Sequence, residues 1–378
     1  MISPKEKKPG HDCAGETVSA PSQGRVGDEP TARQTEVEST ALDPQKLMRE
    51  LRAFRDSRRG RSVWELTITL VPFLCLFGLI LVAVKAGYVF ALALTPLAGL
   101  LLLRLFVIQH DCGHGSFLPS RSGNDWVGRA LGVLTFTPYD CWRRSHALHH
   151  AATGNLAARG AGDVDTLTVR EFYEQSSMQR FLYRLYRHPL VLLGLGPAYL
   201  FLLRHRLPIG LMKEGWAYWI SAMATNVVTA LILAPLIYLF GFAVTAMVFF
   251  PVLLVAASVG VWLFYVQHQF EDAHWDEGKD WSFHDAALHG SSHLDLPLVL
   301  RWFTANIGIH HVHHLASRIP FYRLPEVLEA YPGLRNMNRF TVFQTLKPLR
   351  LALWDESQRR LVSFREASRM ASRSAVRS

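Results

Sequence analysis

Polar and apolar positions are unevenly distributed along the 378 residues, and the longest apolar stretches set the architecture. Leu66 to Val84 contains no charged residue, and neither does Ala86 to Leu103. Each approaches the roughly 20 residues a helix needs to cross about 30 Å of hydrocarbon at about 1.5 Å per residue. Lys85 and Gly87 separate the two runs, which predicts a tight turn. Between Glu214 and Glu271 there is no Asp, Glu, Lys or Arg at all, a stretch too long for one crossing. It divides most simply near Phe240 and Gly241, so spans are expected at 64–84, 87–108, 217–240 and 243–267. A soluble domain of this size could not cover two such uncharged pairs. The shorter apolar pieces Leu190 to Leu203 and Trp126 to Pro138 fall below spanning length and are expected as interfacial or re-entrant helices.

Composition agrees, with 49% hydrophobic residues and a net charge of +9 from 40 Lys+Arg against 31 Asp+Glu. The basic residues cluster beside the apolar runs, which makes a membrane surface the expected partner; no RNA-binding or zinc-finger pattern points to nucleic acid. Arg49, Arg52, Arg55, Arg58, Arg59 and Arg61 precede the first span, and Arg121, Arg129, Arg143, Arg144, Arg180, Arg184, Arg187, Arg204 and Arg206 lie between the second and third. The hairpin turns offer only Lys85, so both termini and the middle segment are expected on the cytoplasmic side. Residues 1–47, rich in Pro, Gly, Ser, Glu and Lys, are expected as a disordered tail without a secretory signal. Cys13, Cys75, Cys112 and Cys141 form no CxxC pair, which argues against a disulfide framework or a thiolate zinc site.

Nine of the 17 histidines fall in three five-residue windows. These are "HDCGH" with His110 and His114, "HALHH" with His146, His149 and His150, and "HHVHH" with His310, His311, His313 and His314. Spacings of i, i+3 and i+4 put imidazoles on one helical face about 5–6 Å apart, within reach of a shared metal. The windows follow the second span, lie in the middle segment and follow the fourth span, so all three land on one side of the membrane; His268 at the end of the fourth span is placed to join them. Eight or nine imidazoles exceed what one four-coordinate ion uses, which implies a pair of metal ions. Imidazole alone suits Zn, Cu, Fe or Ni and does not name the metal. An all-nitrogen shell carries less negative charge than carboxylates, so a high-valent metal there would be the stronger oxidant. The expected fold class is an all-α integral membrane protein: four transmembrane helices in two hairpins, plus interfacial helices and a cytoplasmic histidine-rich helical cap.

The stretches "HDCGHGSF" (110–117), "WRRSHALHHAATGNL" (142–156) and "HHVHHLASRIPFYRLPEV" (310–327) resemble the membrane-bound fatty acid desaturases, in particular the branch with delta-12 acyl-lipid desaturases. The resemblance covers roughly residues 60–335; it implies a desaturase domain over 48–340 and a cytoplasmic C-terminal tail over 341–378. It further implies a di-iron enzyme, with O2 as co-substrate, that removes two hydrogens from adjacent methylenes of an acyl chain. Carried over residue by residue, His110, His114, His146, His149, His150, His310, His313 and His314 would bind two Fe ions, with His268 as the extra ligand from the fourth span. His311 stands where many relatives carry another residue. The expected location is a bacterial inner (cytoplasmic) membrane, with both termini and the active site on the cytoplasmic side. The implied product is a cis double bond of delta-12 (omega-6) type. A related hydroxylase or ketolase acting on alkanes or carotenoids would keep the same histidines and change only the cavity.

An unactivated methylene has no acidic proton, so a redox metal must drive the reaction. Electrons must come from outside, from a ferredoxin or cytochrome b5-like donor, because the chain shows neither a dinucleotide fingerprint nor cluster-type cysteine spacing. Arg143 and Arg144 are candidates to dock an acidic donor. Asp111 could orient a ligand imidazole through its second nitrogen, Asn306 could cap the third histidine helix, and Cys112 is read as a packed thiol. Trp142 and Thr153 match the family pattern without an assignable role, and His284, His289 and His293 are expected in a solvated loop, with His274 a weaker candidate than His268.

Overall fold

The computed structural model describes residues 44–160 and 162–377. Four helices are long and apolar enough to cross a membrane: Arg59–Lys85, Val89–His114, Trp216–Phe240 and Phe242–His268. Their lipid-facing sides are bare of partners, with Phe90 78%, Leu231 67% and Phe242 70% exposed, as expected where hydrocarbon is the solvent. The turn between the third and fourth spans is one residue, Gly241, at φ 86°, a backbone angle that favours glycine. The second and fourth spans pack closely, since a Cβ on Gly99 would meet the Val255 side chain at 2.7 Å.

The first two spans run past the uncharged windows, and the reason is a buried ion pair. Glu65 and Arg104 bound those windows in the sequence, yet their side chains are 3% and 2% exposed and meet at 2.5 Å. Mutual neutralisation lets both helices continue as packed structure beyond the apolar runs. The second span therefore carries His110 and His114 on its last turns before Gly115 ends it at φ 67°.

The interfacial expectations take helical form. Trp126 stands 67% exposed on a helix over Arg121–Leu134, and Leu190 to Leu203 forms a π turn, Val191–Leu195, leading into a helix over Gly196–Leu202. The expected disordered tail lies outside the described residues up to 43; from Pro44 the chain is helical and Leu47 is buried. Residues 341–377 pack on the domain instead of trailing from it. Strand β1 (Leu167–Thr168) pairs in parallel with β4 (Leu351–Asp355), which pairs antiparallel with β5 (Arg360–Ser363). Leu353, Trp354, Leu361 and Val362 are buried there, and a helix over Phe364–Arg377 follows. A second pair, β2 (His293–Asp295) and β3 (Arg339–Thr341), runs in parallel beside the third histidine segment.

Candidate metal centre

Four separate elements deliver the imidazoles. The second span supplies His110 and His114, and the helix Tyr139–Ala152 supplies His146, His149 and His150. The fourth span ends on His268, and the short helix His310–Leu315 presents His310, His313 and His314. Trp142 stacks on His146 with ring centres 4.6 Å apart and covers Gly113, where a Cβ would meet the indole at 2.8 Å.

These nine residues form two adjoining groups. In the first, ligand atoms of His110, His114, His146, His150 and His313 lie within 4.8 Å of one another. The Nε2 atoms of His114 and His146 are 3.0 Å apart, those of His146 and His150 3.1 Å, and those of His150 and His313 3.2 Å. The second group contains His149, His268 and His314. His310 completes it, its Nε2 lying 3.0 Å from that of His268 and 3.1 Å from that of His314. The stacked rings of His150 and His314, 4.1 Å apart, join the groups.

The donor set fits metal ions. Ligands at about 2.0–2.1 Å from an ion, seen at angles of about 90–110°, stand about 2.9–3.4 Å from each other. The Nε2 spacings of 3.0–3.2 Å fall in that range. Nitrogen binds a metal only when neutral, and burial holds His146, His150, His310, His313 and His314 well below the ordinary imidazole pKa, with repulsion among neighbouring imidazoles adding to it. Among the described residues, no carboxylate enters either group.

Around the nitrogens sits a supporting layer. Asp111 Oδ1 lies 3.3 Å from His110 Nδ1, at the long limit of a hydrogen bond, while Oδ2 accepts the Phe321 N–H at 2.7 Å. The Thr153 hydroxyl donates to the His149 carbonyl at 2.7 Å and lies 3.4 Å from His314 Nδ1. Asp163, which nothing in the local sequence flagged, places Oδ2 4.0 Å from His149 Nδ1.

Other candidates go elsewhere. His311 turns away from the cluster and bonds the Leu334 carbonyl at 2.9 Å. His274 pairs with Asp276 at 2.6 Å, outside both groups. The expected solvated loop is a short helix, Phe283–His289, on which His284 is half-buried and His289 exposed, and His293 is buried on β2 with Nδ1 2.7 Å from the Arg335 carbonyl. Cys112 is a buried thiol away from both groups. Asn306 does not cap the third histidine helix: it adopts φ 55° in the preceding loop and donates to the Phe321 carbonyl, because the helix begins only at His310. Arg143 and Arg144 are already engaged, with Asp125 at 2.6 Å and Glu214 at 3.1 Å, which weakens their case as a docking site for a donor.

A helical membrane protein with two convergent imidazole groups at the ends of its spans defines a membrane metalloprotein. The model of the family "Fatty acid desaturase" matches residues 86–345, and the chain belongs to that family, whose members are oxidoreductases acting on fatty acids. It is 39% identical over 331 residues to "Fatty acid desaturase" of Bacillus subtilis (strain 168), covering 87% of this chain and 93% of the relative. It is 32% identical to the "sn-1 acyl-lipid omega-3 desaturase (ferredoxin)" of Synechocystis sp., covering 61% of this chain and 64% of that one. Identity to the "sn-1 oleoyl-lipid 12-desaturase" of the same organism is 28%, over 60% of this chain and 64% of the relative.

Proposed function

We propose that this desaturase uses a di-iron centre to introduce a cis double bond of delta-12 type into an acyl lipid. The observation that carries the reading is the pair of imidazole groups set at the ends of membrane spans. His110, His114, His146, His150 and His313 would hold one iron, and His149, His268, His310 and His314 the other. Bound there, the metal pair supplies the oxidising power that an unactivated methylene requires. In the overall reaction two C–H bonds on adjacent carbons break, O2 takes up those two hydrogens with two protons and two electrons, and two waters leave.

The chain's own residues do the rest. Its imidazoles stay neutral and aimed inward, Asp111 steadies His110 against the Phe321 backbone, and Trp142 walls the centre beside His146. The spans let an acyl chain reach the site without leaving hydrocarbon, while the opposite side faces water, from which an external donor of ferredoxin or cytochrome b5 type delivers electrons. The named relatives "sn-1 oleoyl-lipid 12-desaturase" and "omega-3 desaturase (ferredoxin)" support the acyl-lipid substrate and that donor class. The arginine distribution supports a cytoplasmic site with both termini on the same side, in a bacterial inner membrane. The test is expression in a host rich in oleate, with fatty acid methyl esters read by mass spectrometry. A new diene with its second double bond at carbon 12 is the expected product; an inserted oxygen, or no change with iron and donor present, would contradict the reading.

A further inference from the structure

Behind the third histidine helix, on the side away from the metal centre, lies a cavity of about 210 Å³ whose wall includes Arg301, Arg335 and Arg339 against Asp295 and Glu329. We propose that this cavity binds a phosphate-class anion, the phosphodiester of a membrane glycerophospholipid headgroup.

The charge arrangement comes first. Asp295 holds two of the three guanidinium groups at once: Oδ1 accepts from Arg301 at 3.3 Å, and Oδ2 accepts from Arg339 Nε at 3.1 Å and Nη2 at 2.5 Å. One carboxylate thus orders two forks while neutralising only one charge. Arg335 engages its backbone carbonyl with His293, but among the described residues its guanidinium has no hydrogen bond or ion pair. With Glu329 counted, the cavity keeps a surplus cation on a concave wall, and guanidinium forks match phosphate oxygens.

The apolar surroundings name the source of the anion. Arg301 sits on the helix Leu298–Phe303, one turn after Leu298 and Val299, which are 78% and 66% exposed. Arg339 sits on β3, four residues before Phe343, which is 86% exposed; Leu346 beyond it is 63% exposed. Two of the three segments that supply the arginines therefore carry bare apolar tips, which gain from burial in an apolar medium. Trp302 packs against the second span, its ring 4.2 Å from the Arg104 guanidinium, so this helix lies beside a membrane-crossing element. Tips in the acyl region put the arginines at headgroup level, where lipid phosphate is the concentrated anion. The occupant would brace Ile309, which lines the cavity and precedes His310 of the metal centre.

The test is native mass spectrometry of the full chain in a maltoside detergent free of phosphate, titrated with dioleoylphosphatidylglycerol or with inorganic phosphate. Wild type should retain one lipid. Arg335→Glu should weaken lipid binding about tenfold or more, while Arg369→Glu, an exposed basic position on the C-terminal helix, should leave it unchanged. Arg335→Gln gives a second reading in the same direction should the charge reversal disturb folding. Leu298→Ser with Phe343→Ser should weaken the lipid and leave inorganic phosphate unaffected. Wild-type binding by both Arg335 variants would overturn the site, and inorganic phosphate competing at equal concentration would overturn the lipid assignment.

Discussion

Replacing Arg104 by Leu tests how the spans reach the metal centre. Arg104 bonds Glu65 at 2.5 Å and Thr69 Oγ1 at 3.1 Å, donates to the Trp302 carbonyl, and lies over the rings of Trp302 at 4.2 Å and Phe321 at 5.1 Å. Phe321 in turn binds Asp111 beside His110, so the guanidinium ties two spans to the third histidine segment. Removing one partner of a buried pair costs about 3–5 kcal/mol because the other charge is stranded. Glu65 keeps Arg61 at 2.7 Å, but that arginine is 54% exposed and compensates in part, which puts the expected loss at about 3 kcal/mol. The double variant Glu65→Leu/Arg104→Leu strands no buried charge: the Trp302 carbonyl loses its donor, the Thr69 hydroxyl keeps the residue 65 carbonyl, and the half-exposed Arg61 returns to solvent, for about 1–2 kcal/mol in all. Reversible unfolding by SDS titration, followed by tryptophan fluorescence, measures all corners of the cycle. The double variant should be more stable than Arg104→Leu alone. A loss below about 1 kcal/mol for Arg104→Leu, or a double variant as unstable as the two singles added, would refute the argument.

Three further outcomes are expected. His311→Ala should keep the metal content of wild type, because His311 bonds Leu334 outside the cluster, whereas His313→Ala should lose metal; elemental analysis of the purified variants distinguishes them. Gly113→Ala forces Trp142 off its stack on His146, and the overpacking should cost about 1–3 kcal/mol in thermal or SDS unfolding along with desaturase activity. His205 is held down to about 3, first by burial and then by Arg206 and Arg204. The unfolded chain thus binds the extra proton first, so its contribution is complete above about pH 6.5 and declines as pH falls toward about 3. His205→Phe should flatten that part of the acid limb relative to wild type in a stability-versus-pH series, and superimposable curves would contradict this.

Local patterns were readable in the sequence and long-range ones were not. The spans showed as uncharged runs, and the i, i+3 and i+4 spacing of His110 with His114, and of His146 with His149 and His150, is a property of one helix turn. On a wheel of about 100° per residue, His313, His310 and His314 share an arc of about 100° and His311 falls about 60° beyond its edge, on the side that faces Leu334 instead of the cluster. Glu65 and Arg104, 39 residues apart, read as the ends of apolar runs because nothing local announces that they meet. Pairing of β1 with β4 joins Leu167 to Leu353, strands too short for alternation to show, so the C-terminal stretch looked like a tail. Asn306 carried a capping side chain in the expected place, but the positive φ at Ala305 and Asn306 delays the helix beyond its reach.

The central claim is that residues from four elements gather two metal ions at the ends of the spans. Elemental analysis of the full chain purified from iron-replete cells, compared with His114→Ala and His268→Ala, tests it most directly. Wild type should hold about two irons per chain, and each variant, altered in a different imidazole group, should retain less. A wild-type chain holding one metal ion or none, or both variants keeping the full complement, would contradict it.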